Sequence, residues 1–359
     1  MERLHVALFG PANSGKSTLM NALCGQEVSL VSPHPGTTTD PVRKTVELPG
    51  LGACVLIDTA GLEDESLLGP ERRRRTLAVL DETDLAVVLT EDPPSVIPGK
   101  ASVSHLLALL ESAGIPVIRY TRGESIPSLL ERLQAAAPQQ EERFLTGHLV
   151  QSGDCALLVM PQDSEAPKGR LILPQVQVLR ELLDRGCNAL CCTPQSLASA
   201  LERITPDLVI TDSQVFGLVN QALPSSIALT SFSVLLAGAK GDLPTFAEGA
   251  SAIDRLKPGD RVLIAEACTH VPDSEDIGRV KIPALLRQKA DIEVDIAVGN
   301  DFPEDLSPYS LIIHCGGCVA TRTLVQRRIK KALRAGVPMT NYGIAMAKLQ
   351  GILERIALP

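Results

Sequence analysis

The stretch LHVALFGPANSGKST, from Leu4 to Thr18, decides how the first part of the chain folds. Leu4–Phe9 is an apolar run that reads as a buried strand, and Gly10 to Ser17 match the pattern GxxxxGK[ST]. A helix is expected to open at Ser17. Strand, glycine-rich loop and helix in this order bring backbone N–H groups and a helix N-terminus to one point, where they cradle phosphates. Asn13, Ser14, Gly15, Lys16, Ser17 and Thr18 are therefore the candidate nucleotide-binding residues. Lys16 would neutralise β- and γ-phosphate oxygens, and the Ser17 hydroxyl would ligate Mg2+.

Outward from this loop, strands and helices alternate. Strands are expected at Cys54–Ile57, Leu85–Leu89 and Pro116–Tyr120, with helices at Glu71–Asp81 and Ser102–Ser112, a doubly wound α/β pattern. Ala135–Gly147 lacks apolar periodicity and contains a proline and adjacent charges, which marks a linker. A second series of strands and helices runs from Ala156 to Leu229. A third begins near Leu243, with strands at Arg261–Ala265, Ile292–Ile296 and Leu311–Ile313. The expected fold class is α/β with three domains: 1–138, containing the phosphate loop, then two βα domains with mainly parallel sheets at 148–242 and 243–359. The middle series holds no polar cluster with evident chemistry, which favours a structural or subunit-contact role.

Composition narrows the functional classes. Hydrophobic residues make up 45% of the 359 and aromatics 3%, with no Trp, so the cores are built from aliphatic side chains, as suits helices on parallel sheets. A net charge of −8 and the lack of a basic stripe interleaved with aromatics argue against a nucleic-acid partner. The longest apolar stretch, Ile227–Ala239, is too short to span a bilayer, and Leu4–Phe9 is too short for a signal segment. Nine cysteines, an odd number without the spacing of a disulfide framework, point to reduced thiols and a cytoplasmic location. Cys187, Cys191 and Cys192 read as small buried hydrophobes.

Asp58-Thr59-Ala60-Gly61 follows the strand Cys54–Ile57 and supplies the acidic element that a Mg2+–phosphate site needs. Here the chain resembles the translation-factor-related GTPases. The resemblance implies that Asp58 holds Mg2+, that the Gly61 N–H senses the γ-phosphate, and that Thr38, within Gly36–Asp40, reaches both. Asn13 matches the position that binds K+ in potassium-activated members, so K+ joins GTP (or another nucleoside triphosphate) and Mg2+ as an expected ligand. Leu62 stands where Ras-type relatives carry a water-positioning Gln, so hydrolysis is expected to be slow. The guanine-reading Asn-Lys-x-Asp is missing. Thr121-Arg122-Gly123-Glu124 is either a degraded version, with Glu124 in place of the Asp, or the start of the final helix after a deletion. The shortness of the domain favours deletion, and either outcome weakens selection of GTP over ATP.

Cys268-Thr269-His270 and His314-Cys315-Gly316-Gly317-Cys318 form a five-donor set. Thiolates with imidazoles suit zinc or an iron–sulfur cluster rather than Mg2+ or Ca2+. On spacing alone both remain open. Each half follows a predicted strand, and ligands in open α/β sheets collect at the carboxyl ends of strands, so the two halves can converge.

The phosphate loop, the central βα series and this Cys/His set together resemble the HydF family of [FeFe]-hydrogenase maturation GTPases. Gly36–Val42, Pro167–Pro174 and Asn341–Ala347 are similar to blocks of that family, and the resemblance covers essentially the whole chain. It implies that Cys268, Cys315 and Cys318 bind a [4Fe–4S] cluster, with His270 and His314 as the fourth ligand or as neighbours that tune it. It also implies a diiron precursor as cargo, radical-SAM maturases and apo-[FeFe]-hydrogenase as partners, and a homodimer. The competing reading is a nucleotide hydrolase with a structural zinc site.

Overall fold

The computed structural model describes residues 3–11, 14–25, 41–59, 79–90, 103–138, 143–162, 169–267, 276–299 and 301–359. They fall into two compact units, Met1–Glu141 and Glu142–Pro359.

The first unit is built on a five-stranded sheet in the order β2-β3-β1-β4-β5. Its strands are β1 (Leu4–Phe9), β2 (Val42–Leu48), β3 (Gly52–Asp58), β4 (Leu85–Thr90) and β5 (Val117–Thr121). All pairs are parallel except β2 with β3. Helices Lys16–Cys24 and Ile126–Ala136 cover one face, where Leu19, Met20, Leu129 and Leu133 pack with Val6, Leu8, Leu56 and Val87. Helix Val103–Ser112 covers the other through Leu106 and Leu110, against Phe9, Ile57 and Val88. Burial on both faces is why β1 and β4 read as unbroken apolar runs. β2 escaped the sequence reading for the opposite reason. Its residues VRKTVEL alternate between half-buried and exposed up to the buried Leu48 on the outermost strand, so no apolar run marks it.

The second unit holds two four-stranded parallel sheets. One runs β7-β6-β8-β9, from β6 (Cys155–Val159), β7 (Asn188–Cys192), β8 (Leu208–Thr211) and β9 (Ala228–Ser231). The other runs β11-β10-β12-β13, from β10 (Arg261–Glu266), β11 (Glu293–Val298), β12 (Leu311–His314) and β13 (Met339–Asn341). The expected domains 148–242 and 243–359 each contain one sheet, and the two sheets share a core: Val159, Val209 and Leu229 from the first join Leu263, Ala265 and Ile312 from the second.

The helix Phe232–Lys240 enters this shared core. It starts directly after β9, with the Ser231 side chain accepting from the Val234 N–H. Phe232, Val234, Leu235, Leu236 and Ala237 are all buried. A helix buried around its circumference has no amphipathic period, so beyond the strand expected at Ile227–Leu229, which overlaps β9, the sequence showed only an apolar stretch. Cys191 departs from its expected burial. It is exposed on β7, which is an edge strand. Among the described residues no helix is long and apolar enough to cross a membrane.

Backbones approach closely at two glycines. A Cβ on Gly343 would sit 2.9 Å from the Val234 nitrogen, and one on Gly249 would overlap the Met339 carbonyl. Gly249→Ala therefore forces a helix away from β13 and is expected to cost about 1–3 kcal/mol. Urea unfolding checks this: the midpoint falls while the slope with denaturant stays as in the wild type.

Candidate functional site

At the phosphate loop, Gly15 takes a left-handed conformation (φ 95°) and caps the helix Lys16–Cys24, which aims the helix N-terminus at the loop. Lys16 is buried, and its Nζ donates to the carbonyl oxygens of Gly10 at 3.0 Å and Pro11 at 2.6 Å. The Ser17 hydroxyl donates to Oδ2 of the fully buried Asp58 at 2.6 Å. The end of β3 and the start of the helix thus converge, as the sequence expects of a Mg2+ pair. Ser14 is half-buried beside them and Thr18 is exposed. Asn13, Thr38 and Gly61 lie outside the described residues. Thr59 has a role the sequence did not reveal: its hydroxyl donates to the Leu8 carbonyl at 2.7 Å and fastens the acidic loop to β1.

Glu124 is engaged within its own segment. Its carboxylate pairs with Arg132 and accepts from the Ser128 hydroxyl at 3.4 Å, while its carbonyl accepts from the Tyr120 hydroxyl at 3.1 Å. The helix Ile126–Ala136 lies on the same face of the sheet as Lys16–Cys24, and Gln134 Nε2 donates to the Pro49 carbonyl in the β2–β3 turn at 2.6 Å.

In the second unit, β10 and β12 are neighbours with Ala265 opposite His314. The Cys315 N–H donates to the Ala265 carbonyl at 2.9 Å, so the chain leaves β12 beside the end of β10. The Cys315 sulfur accepts N–H groups from Ala267 at 3.1 Å and Gly317 at 3.4 Å. Ala267 directly precedes Cys268; Cys268 and His270 lie outside the described residues. Burial pushes the Cys315 thiol up from its ordinary range, against the two N–H donors, which favour the thiolate. A soft cation at that sulfur would remove the cost of a buried thiolate, so the donor chemistry fits a thiolate-bound metal or cluster. Gly317 turns the loop between the two cysteines with a left-handed φ of 64°. Cys318 is half-buried.

His314 is 1% exposed, and both ring nitrogens have protein partners: Nδ1 lies 2.7 Å from the Cys315 carbonyl and Nε2 lies 3.0 Å from Nη1 of Arg328. A guanidinium can only donate, so Nε2 accepts and Nδ1 carries the proton. Burial and the Arg328 charge push the His314 pKa down to about 3, which keeps the ring neutral. In this arrangement His314 braces the Cys315 carbonyl. No group of three or more His, Cys, Asp or Glu side chains poised for a metal occurs among the described residues. Two side chains unassigned in the sequence also reach the cysteine loop. Lys240 ends an apolar helix and Arg328 sits in a run of basic residues, so neither position carried a distinguishing signal.

Three family models tile the chain. Residues 5–121 match the 50S ribosome-binding GTPase, 145–241 the hydrogen maturase F dimerization domain and 244–359 the hydrogen maturase F tetramerization domain. The tRNA modification GTPase MnmE of Methylobacterium sp. (strain 4-46) is 39% identical over 143 residues, 37% of this chain and 32% of that protein. Its counterpart from Azorhizobium caulinodans is 31% identical over 178 residues, 45% of this chain and 41% of its own length. The chain thus matches less than half the length of these curated relatives. Among solved structures, Toc33 from Arabidopsis thaliana with Mg2+ and GMPPNP aligns at a TM-score of 0.27 and 16% identity, covering 40% of this chain and 87% of that one.

Lys16→Ala is expected to lower nucleoside triphosphate affinity by about 10- to 100-fold, the range for losing a hydrogen bond to a charged phosphate. With Glu124 held by Arg132, GTP and ATP are expected to bind the wild type within about tenfold of each other. Calorimetric titration of both nucleotides into both proteins checks the two statements.

Proposed function

The chain belongs to the hydrogen maturase F family, whose two domain models together match more than half of it, and from that premise we propose that it is an [FeFe]-hydrogenase maturation scaffold. In this reading Cys268, Cys315 and Cys318 hold a [4Fe–4S] cluster, with His270 as the candidate fourth ligand. His314 acts from behind Cys315. A cluster held by these three thiolates would leave one iron open to exchange, the chemistry needed to carry a diiron precursor to apo-hydrogenase. Radical-SAM maturases are the expected source of that cargo.

The observation that carries the reading is the Cys315 sulfur, which accepts N–H groups from Gly317 in its own loop and from Ala267, the residue before Cys268. Each N–H donor offsets part of the negative charge a ligating thiolate carries. The backbone directly before Cys268 therefore meets the Cys315 sulfur, although the two lie far apart in sequence. The first unit would act as the nucleotide switch. Ser17 and Asp58, with Thr38, would hold Mg2+, Lys16 and the loop would hold GTP, and Asn13 would hold K+.

Anaerobic reconstitution with iron and sulfide tests the reading. The expected product is a brown protein whose iron and sulfide are stoichiometric and which activates apo-hydrogenase once loaded with the diiron cargo. Cys315→Ser should lose most of the iron. Tight zinc with no iron uptake would replace the scaffold by the zinc reading.

The same family match supports a dimer through the first sheet of the second unit. Leu173, Val176 and Leu183 are exposed along one side of helix Leu173–Asp184, and Leu190 is exposed on edge strand β7. Val176→Asp with Leu183→Asp is expected to reduce the mass found by light scattering while the circular dichroism spectrum is kept. An unchanged mass would place the contact elsewhere.

A further inference from the structure

Two cations are buried against the loop that carries Cys315 and Cys318, and they come from different parts of the chain. Lys240, 5% exposed, ends the helix Phe232–Lys240, and its Nζ donates to the carbonyl oxygens of Gly317 at 2.9 Å, Cys318 at 3.2 Å and Ala320 at 2.8 Å. Arg328, 2% exposed, projects from helix Arg322–Arg334. Its Nη1 donates to His314, its Nη2 to the Gly299 carbonyl, and its guanidinium lies 4.9 Å from the centre of the Phe302 ring. The two cations grip opposite ends of the sequence His314–Cys318.

The helix end that carries Lys240 has an anchor of its own. Gln326 Nε2 donates to the carbonyls of Lys240 at 3.1 Å and Gly241 at 2.8 Å. The backbone of Lys240 is therefore held without its ammonium group. Lys240 lies within the dimerization-domain match, 145–241, whereas the loop it holds lies within the tetramerization-domain match, 244–359.

We propose that Lys240 is a positioning residue for the cluster loop, and that its charge and that of Arg328 favour the reduced form of the cluster bound there. The proposal rests on the cluster reading above. Reduction adds one negative charge to the cluster and its thiolates without making or breaking a bond, and the electron comes from the external reductant. Fixed positive charges buried close by, where solvent screens them little, stabilise that added charge. Net charge and local electrostatics are among the factors that set iron–sulfur potentials. The helix that leaves the dimerization domain would thereby set the potential of a cluster held by the domain after it.

The test is a dithionite titration of anaerobically reconstituted full-length protein, followed by electron paramagnetic resonance and with iron and sulfide measured in every sample. Lys240→Met removes the charge at similar side-chain length, and Lys240→Arg retains it. Arg328→Gln removes the second charge while leaving an amide that can donate to His314. Lys240→Met and Arg328→Gln are expected to shift the midpoint to more negative potential and to change the signal shape, while Lys240→Arg stays near the wild type. Should Lys240→Met fail to fold, Arg328→Gln decides the charge effect by the same shift. Loaded variants with the wild-type midpoint and signal would overturn the proposal. Failure of the wild type itself to take up iron would instead remove the reading it rests on.

Discussion

The parallel register of β10 and β12 is the constraint on which the arrangement around Cys315 depends. With Ala265 opposite His314, the next residue, Cys315, still binds the Ala265 carbonyl through its N–H, and its sulfur then falls within reach of the Ala267 N–H. Successive side chains on a strand point to opposite faces, so a slip of one residue would exchange the directions of His314 and Cys315. Ile312 and Ile313 resist that slip. They face different hydrophobic cores on the two sides of the sheet, and a shift would take both out of position. The site is thus held in place by apolar packing that contributes no donor to it.

The helix Phe232–Lys240 extends the same logic across the unit. Its apolar residues lie between two sheets, its Ser233 hydroxyl accepts from the Gly343 N–H at 3.1 Å, and its last residue reaches the cysteine loop. One short element therefore joins the first sheet, the helix Tyr342–Leu349 and the loop after β12. Packed interiors transmit small displacements because they have little void to absorb them. A shift of this helix would be felt at Cys318.

Much of this architecture was legible in the sequence, and the parts that were not share physical causes. The central parallel strands announced themselves because burial on both faces demands continuous apolar runs. β2, half solvated, and β13, three residues long, lacked that signature. The phosphate loop was legible because its chemistry fixes residue types at fixed spacing, as it does for Ser17 and Asp58. Thr59, Lys240 and Arg328 act through contacts with backbone carbonyls or an imidazole that are distant in sequence, and carbonyls leave no compositional trace. The pairing of Cys315 with the segment before Cys268 could be anticipated from strand ends. The engagement of both His314 nitrogens could not, because it depends on an arginine from a helix that begins after the cysteine loop.

The position of Lys16 has a consequence for how nucleotide would be held. Its ammonium group has the carbonyl oxygens of Gly10 and Pro11 among its partners. A phosphate drawing on this ammonium group would compete with those carbonyl oxygens for its N–H donors. The free energy of that contact would then be the difference between two hydrogen-bonded arrangements of the same cation. Anything that strengthens the carbonyl contacts would weaken the phosphate contact by the same measure.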